Sequence, residues 1–161
     1  MGPDDLVEIE QIKRVKYRYC RLLDQKRFEE LGPLFTDDAT ASYGGGALTL
    51  AGRDEIVSTL GSMMGSTDML TSHHVGHPEI DLVGPDEATG TWALQDVVVL
   101  VEMGFTIRGA SFYEDRYARA DGRWLISHTG YKRTYEEIEP RGADVRLTAS
   151  WWGTDGRSTL T

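Results

Sequence analysis

The sequence predicts an α+β fold, with helices packed on one face of a curved antiparallel sheet. Three observations predict it. Helical apolar spacing is confined to the stretch before residue 65. From residue 72 onward β-rich runs of period two take over. The breaks between those runs are short turn sequences: Gly84-Pro85-Asp86, Met103-Gly104 and Asp121-Gly122.

Each element follows from its own pattern. Leu6, Ile9, Ile12, Val15, Tyr19, Leu22 and Leu23 lie at helical spacing and give residues 5–23 one apolar stripe. A short helix is expected from about Arg27 to Phe35, broken early by Gly32-Pro33. ATASYGGGALTLAG reads as two extended pieces around a flexible glycine run, and 53–64 as a third helix. The glycine run does not precede a helix in a phosphate-loop pattern. Strands are expected at 73–82, 88–101, 106–119 and 124–133, the last two joined by an Asp-Gly hairpin turn. One domain spans 1–141. The extension 142–161, with VRLTASWWG, is a candidate edge strand or subunit contact.

Composition narrows the function. The chain has 161 residues, 17 basic and 26 acidic, for a net charge of −9. Such a surface does not suit nucleic acid or an anionic membrane. No run of apolar residues is long enough to span a bilayer. The acidic start MGPDDLVEIE lacks the apolar stretch of a signal peptide, so a cytoplasmic location is expected. Cys20 is the single cysteine, which leaves no intrachain disulfide and no cysteine-based zinc site.

Three of the four histidines fall in TSHHVGHPEI, residues 71–80. Gly76 and Pro78 argue against a helix there. In a strand His73 and His77 share a face but lie roughly 13 Å apart, too far for one small ion, and His74 faces the other way. No metal is therefore expected. A loop Val83–Glu87 between strands ending at Leu82 and starting at Ala88 sets His74 opposite Asp96. The same face carries Gly76, Ile80, Trp92 and Leu94. A histidine and an aspartate paired on an apolar face form either an acid/base dyad or a structural pair. His73 and His77 take the outer face.

Other residues carry two readings each. Tyr19 on the helical stripe is a core aromatic or a phenol facing a cavity. Asp24 is a turn residue or a partly buried carboxylate at the cavity wall. Arg133 is a surface cation paired with Glu136-Glu137 or a cation for an anionic substrate group. Tyr131 shares its face, and the Asp121-Gly122 turn pairs Tyr131 with Phe112. His128 faces away from Arg133. Cys20 is a small buried side chain. No nucleophile motif for acyl transfer is present.

The segment YCRLLDQKRFEELGPLFTDDATASY, with SHHVGHPEI, ATGTWALQD, GASFYEDRY and TGYKRTYEE, resembles the SnoaL-like group of the nuclear transport factor 2-like superfamily. Within it the resemblance is closest to the bile acid 7α-dehydratases and runs from about Ile9 to Arg141. The glycine-rich loop, the tail and strand 97–108 depart from that pattern. The resemblance implies a cone-shaped α+β barrel whose sheet wraps a long N-terminal helix around a deep pocket. It implies catalytic Tyr19, Asp24, His74 and Asp96, with Arg133 at the substrate; Tyr131, Trp92 and Phe112 are expected to line the binding surface. The expected activity is cofactor-independent elimination of water from a polycyclic, steroid-like or aromatic hydroxy-ketone. A double-bond isomerase, a polyketide-type cyclase and a non-catalytic binding module are the alternatives on the same fold. The expected partners are a hydrophobic small molecule and copies of the chain itself, as trimer or dimer.

Overall fold

Gly2, Pro3 and Asp5 together start the first helix. Pro3 has the fixed φ that suits a first turn, and Asp5 accepts a hydrogen bond from the Gly2 amide at 2.7 Å. In the computed structural model, which describes residues 2–160, α1 then runs Pro3–Asp24. Its buried stripe is Ile12, Lys16, Tyr19, Cys20, Leu22 and Leu23. The helix stops through Lys26, which takes a left-handed φ of 54°. The Lys26 amide returns to the Leu23 carbonyl at 3.0 Å and the Arg27 amide to Leu22 at 2.9 Å, a Schellman closure that fixes Asp24 in the last turn.

Helix α2 (Phe28–Leu31) ends in a short 3-10 turn at Gly32–Leu34, as the Gly-Pro pair requires. Strand β1 (Phe35–Tyr43), a glycine turn, β2 (Leu48–Ala51) and helix α3 (Arg53–Met64) follow. Four long strands complete the chain: β3 (Met69–Leu82), β4 (Glu87–Leu100), β5 (Phe105–Ala120) and β6 (Arg123–Pro140). They form one curved six-stranded sheet of order β2-β1-β6-β5-β4-β3. The sheet is mixed, because β1 pairs with β6 in parallel. That pairing joins the two ends of the strand region, so no local pattern announces it. The core fills the concave side, where Trp92, Tyr19, Tyr113, Tyr117, Phe35 and Ile126 are almost fully buried around α1. The tail after Pro140 forms turns and no strand among the described residues. It folds on itself through Thr159 and Thr148, and Trp152 lies 5.1 Å from the Lys26 ammonium. No described helix is long and apolar enough to cross a membrane.

The β3–β4 register departs from simple alternation. Leu82 faces Ala88 and Glu79 faces Thr91, as the loop length predicts. Between Glu79 and Gly76 the ladder slips by one, so that His77 and Pro78 together oppose Trp92. Pro78 has no N–H for a ladder bond, and a bulge on an edge strand accommodates it. His77 takes a left-handed φ of 48°. Beyond the bulge every side chain changes face: His73 lies opposite Asp96 and His74 opposite Gln95. The β5–β6 hairpin slips twice in the same way, so Tyr131 faces Tyr113 rather than Phe112. Phe112 opposes Lys132 and is 52% exposed on the outer face.

The bulge makes a stability prediction. A left-handed conformation costs a non-glycine residue roughly 1–2 kcal/mol. His77→Gly therefore raises stability by about 1 kcal/mol, read as a higher denaturant midpoint at unchanged slope. A lower midpoint would show that the His77 side chain, not the turn geometry, matters there.

Candidate active site

The last turn of α1 meets β3 through Asp24. Its carboxylate accepts the Thr71 hydroxyl at 2.8 Å, the His73 backbone amide at 2.9 Å and the His73 Nδ1–H at 2.6 Å. Thr71 and His73 stand two apart on one strand, so both point at the same helix end. A carboxylate held by three donors orients the imidazole and places its free lone pair on Nε2. The His73 side chain is 11% exposed and that of Asp24 25%. A cavity of about 370 Å³ lies against the pair, lined by Tyr17, Cys20, Arg21, Asp24, His73 and His74 among others.

Across the β3–β4 ladder from His73 sits Asp96, 4% exposed. Its partner is not a histidine. The Arg133 guanidinium grips both Asp96 oxygens, the second at 3.0 Å, and also donates to Ser111 at 3.2 Å and pairs with Glu136 at 2.9 Å. Arg133 stacks over Tyr131 at 4.8 Å. Burial works against its charge, but the Asp96 contacts outweigh it and raise the Arg133 pKa. The expected His74–Asp96 pair is thus replaced by two pairs, Asp24–His73 and Asp96–Arg133, side by side on β3 and β4. His74 is exposed, with Ser72 Oγ 3.5 Å from its Nδ1.

Gly109 makes room for Arg133. A Cβ there would stand 2.6 Å from the Arg133 Nη1 and 3.1 Å from the Tyr135 carbonyl oxygen. The guanidinium cannot swing aside without leaving Asp96. Gly109→Ala is therefore expected to cost about 1–3 kcal/mol, and much less in an Arg133→Ala background. A thermal-denaturation double-mutant cycle checks this; equal costs in both backgrounds would refute it.

Deeper in the cone lies a layer of tyrosines. Tyr19 and Tyr43 share a hydrogen bond of 2.9 Å, and Tyr113 stands edge-on to both Tyr19 and Tyr131. Burial raises the pKa of Tyr19, Tyr43 and Tyr113, so all three stay protonated. Beneath them Lys16 and Asp115 form a fully buried ion pair at 2.8 Å. Asp115 also accepts Tyr117 and Thr129 at 2.8 Å, and Trp92 Nε1 donates to Tyr117 at 3.1 Å. Trp92 is fully buried in this network. Sequence reasoning passed over this ion pair, because a lysine inside an apolar helical stripe is its only local trace. It placed His73 on the outer face, although Pro78 inside a strand pattern is the signal of a bulge. Burial pushes the Cys20 thiol up to about 12, which leaves no thiolate nucleophile at the cavity. His128 is tied to Thr40 at 2.7 Å, away from the Asp24–His73 pair.

Three matches to known proteins bear on this chain. A model of the SnoaL-like domain matches residues 4–130. Among solved structures, a candidate scytalone dehydratase from Novosphingobium aromaticivorans superimposes with a TM-score of 0.78 at 26% identity, over 98% of this chain and 99% of that one. The hexachlorocyclohexane dehydrochlorinase of LinA type 3 from Novosphingobium barchaimii LL02 gives 0.76 at 21% identity, over 89% of this chain and 96% of that one, a likeness of fold.

Proposed function

The chain belongs to the SnoaL-like domain family, and from that premise we propose that it is a cofactor-independent lyase that eliminates water from a hydroxy-ketone. The observation that carries the proposal is the Asp24–His73 pair at the wall of the cavity. His73 Nε2 takes the proton from the carbon next to the substrate carbonyl, and the electron pair enters an enolate. The enolate collapses to a conjugated double bond as the C–O bond to the departing hydroxyl breaks. The proton held on His73 returns to that hydroxyl, which leaves as water. Asp24 holds the imidazole and balances its positive charge in between. Tyr19 and Tyr43, hydrogen-bonded to each other and kept protonated by burial, pack in the core and are absent from the lining of this cavity, so the expected catalytic role of Tyr19 is not carried over. Asp96 and Arg133 form the charged flank across the ladder, with Tyr131 beside them.

A cavity of about 370 Å³ falls within the size range of small-molecule sites; the choice of a polycyclic, steroid-like or aromatic substrate rests on the family resemblance. The similarity to a candidate scytalone dehydratase supports dehydration over isomerisation. The test is incubation with 3-oxo-steroids, bile-acid-like compounds and hydroxynaphthalenones, followed by mass spectrometry. Loss of one water from a member of these classes is the expected result. Rearrangement without mass change would identify an isomerase instead.

A further inference from the structure

A second groove, of about 810 Å³, runs along the solvent face of α1 and carries four arginines: Arg14, Arg18, Arg21 and Arg123. Its lining contains no aspartate or glutamate, in a chain whose 26 acidic residues outnumber its 17 basic ones. Residues 14, 18 and 21 stand on one helical stripe, and the β5–β6 turn brings Arg123 against it. None of the four is neutralised at hydrogen-bond range. Among the described residues Arg14 and Arg123 have no ion-pair partner. Arg18 approaches Glu30 only to 3.9 Å, and Arg21 donates to the neutral Gln25 amide at 3.0 Å. The nearby Glu8 is already taken by Arg119 at 3.2 Å and by Trp124. The floor is apolar, with Val15, Leu34 and Leu125.

Four arginines line one concavity in which, among the described residues, the one ion pair they make, Arg18–Glu30, is loose, and a multiply charged anion would find bidentate donors there. Tyr17 and Arg21 line both this groove and the cavity at His73. From Arg14 to Asp24 the helix rises about 15 Å. Arg133, the expected anion-binding residue, already has Asp96 and Glu136, which leaves this groove as the cationic surface that adjoins the cavity.

We propose that the Arg14–Arg18–Arg21–Arg123 groove binds the polyanionic arm, phosphate or carboxylate in type, of a substrate whose reacting end lies at His73, a link that presupposes the elimination proposed for that residue. Isothermal titration with inorganic pyrophosphate and with succinate, at low ionic strength, tests the binding without any turnover. Saturable binding of either anion is expected, the tighter one naming the arm. The Arg14→Gln/Arg123→Gln variant weakens it at least tenfold, and His73→Ala leaves it intact. On a substrate found by the dehydration screen, the same arginine variant raises KM for an anionic substrate and leaves its uncharged analogue unaffected. Absence of binding by both anions, or binding indifferent to the arginines, overturns the proposal whatever His73 does. So does a change of oligomeric state in the arginine variant without anion binding, which would make the groove a subunit contact.

Discussion

His73→Ala is expected to abolish elimination, with kcat falling roughly 100-fold to 10,000-fold, as for removal of a positioned general base. The variant should fold, because His73 is partly exposed and its backbone amide still reaches Asp24. Asp24→Asn should also be severely impaired. An amide cannot balance the imidazolium, and it offers an N–H where the Nδ1–H needs an acceptor. His74→Ala is the discriminating control, with kcat within severalfold of the parent. The ladder puts His74 opposite Gln95 and leaves it exposed. Steady-state assay of the three variants on one dehydrated substrate decides the matter. Full activity of His73→Ala with loss in His74→Ala would restore the pairing that simple strand alternation suggests.

The second large effect concerns folding. Asp115→Ala removes the carboxylate that pairs with a completely buried lysine. It strands the Lys16 ammonium and leaves Tyr117 and Thr129 without their acceptor. Breaking one side of a buried pair costs about 3–5 kcal/mol. For a domain of this size that is roughly 6–20 °C in Tm. The Tyr113 ring centroid lies 3.2 Å from the Lys16 ammonium and offsets a small part of the loss. Replacing both charges, as Lys16→Met/Asp115→Leu, removes the uncompensated ion and should melt above the single variant. Thermal denaturation by circular dichroism measures both. A double variant that melts no higher than Asp115→Ala would show that the stranded charge is not what destabilises the protein.

The elements that local pattern controls were readable. The third helix was expected over 53–64 and is Arg53–Met64, and the strand runs differ from β3–β6 mainly in length. Each of these rests on periodicity and turn chemistry within one segment. What failed was pairing. The loop after Leu82 gave the right register for Ile80 and the wrong one for His74, because the bulge at His77-Pro78 lies between them. A period of two makes one extra residue sufficient to exchange the faces of everything beyond it. The same arithmetic moved Tyr131 from Phe112 to Tyr113.

Local pattern suffices to say that helices precede a strand-rich sheet, that Asp24 ends the first helix and that Asp96 faces inward. Periodicity and caps are properties of neighbouring residues. Long-range packing sets which histidine Asp24 meets, that Arg133 occupies Asp96, and that β1 joins the sheet in parallel beside β6. Those contacts join residues far apart in the chain, and their identity depends on bulges and packing that no single segment encodes. The three histidines of residues 73–77 are separated by that geometry: His73 turns to Asp24, and His74 and His77 face solvent.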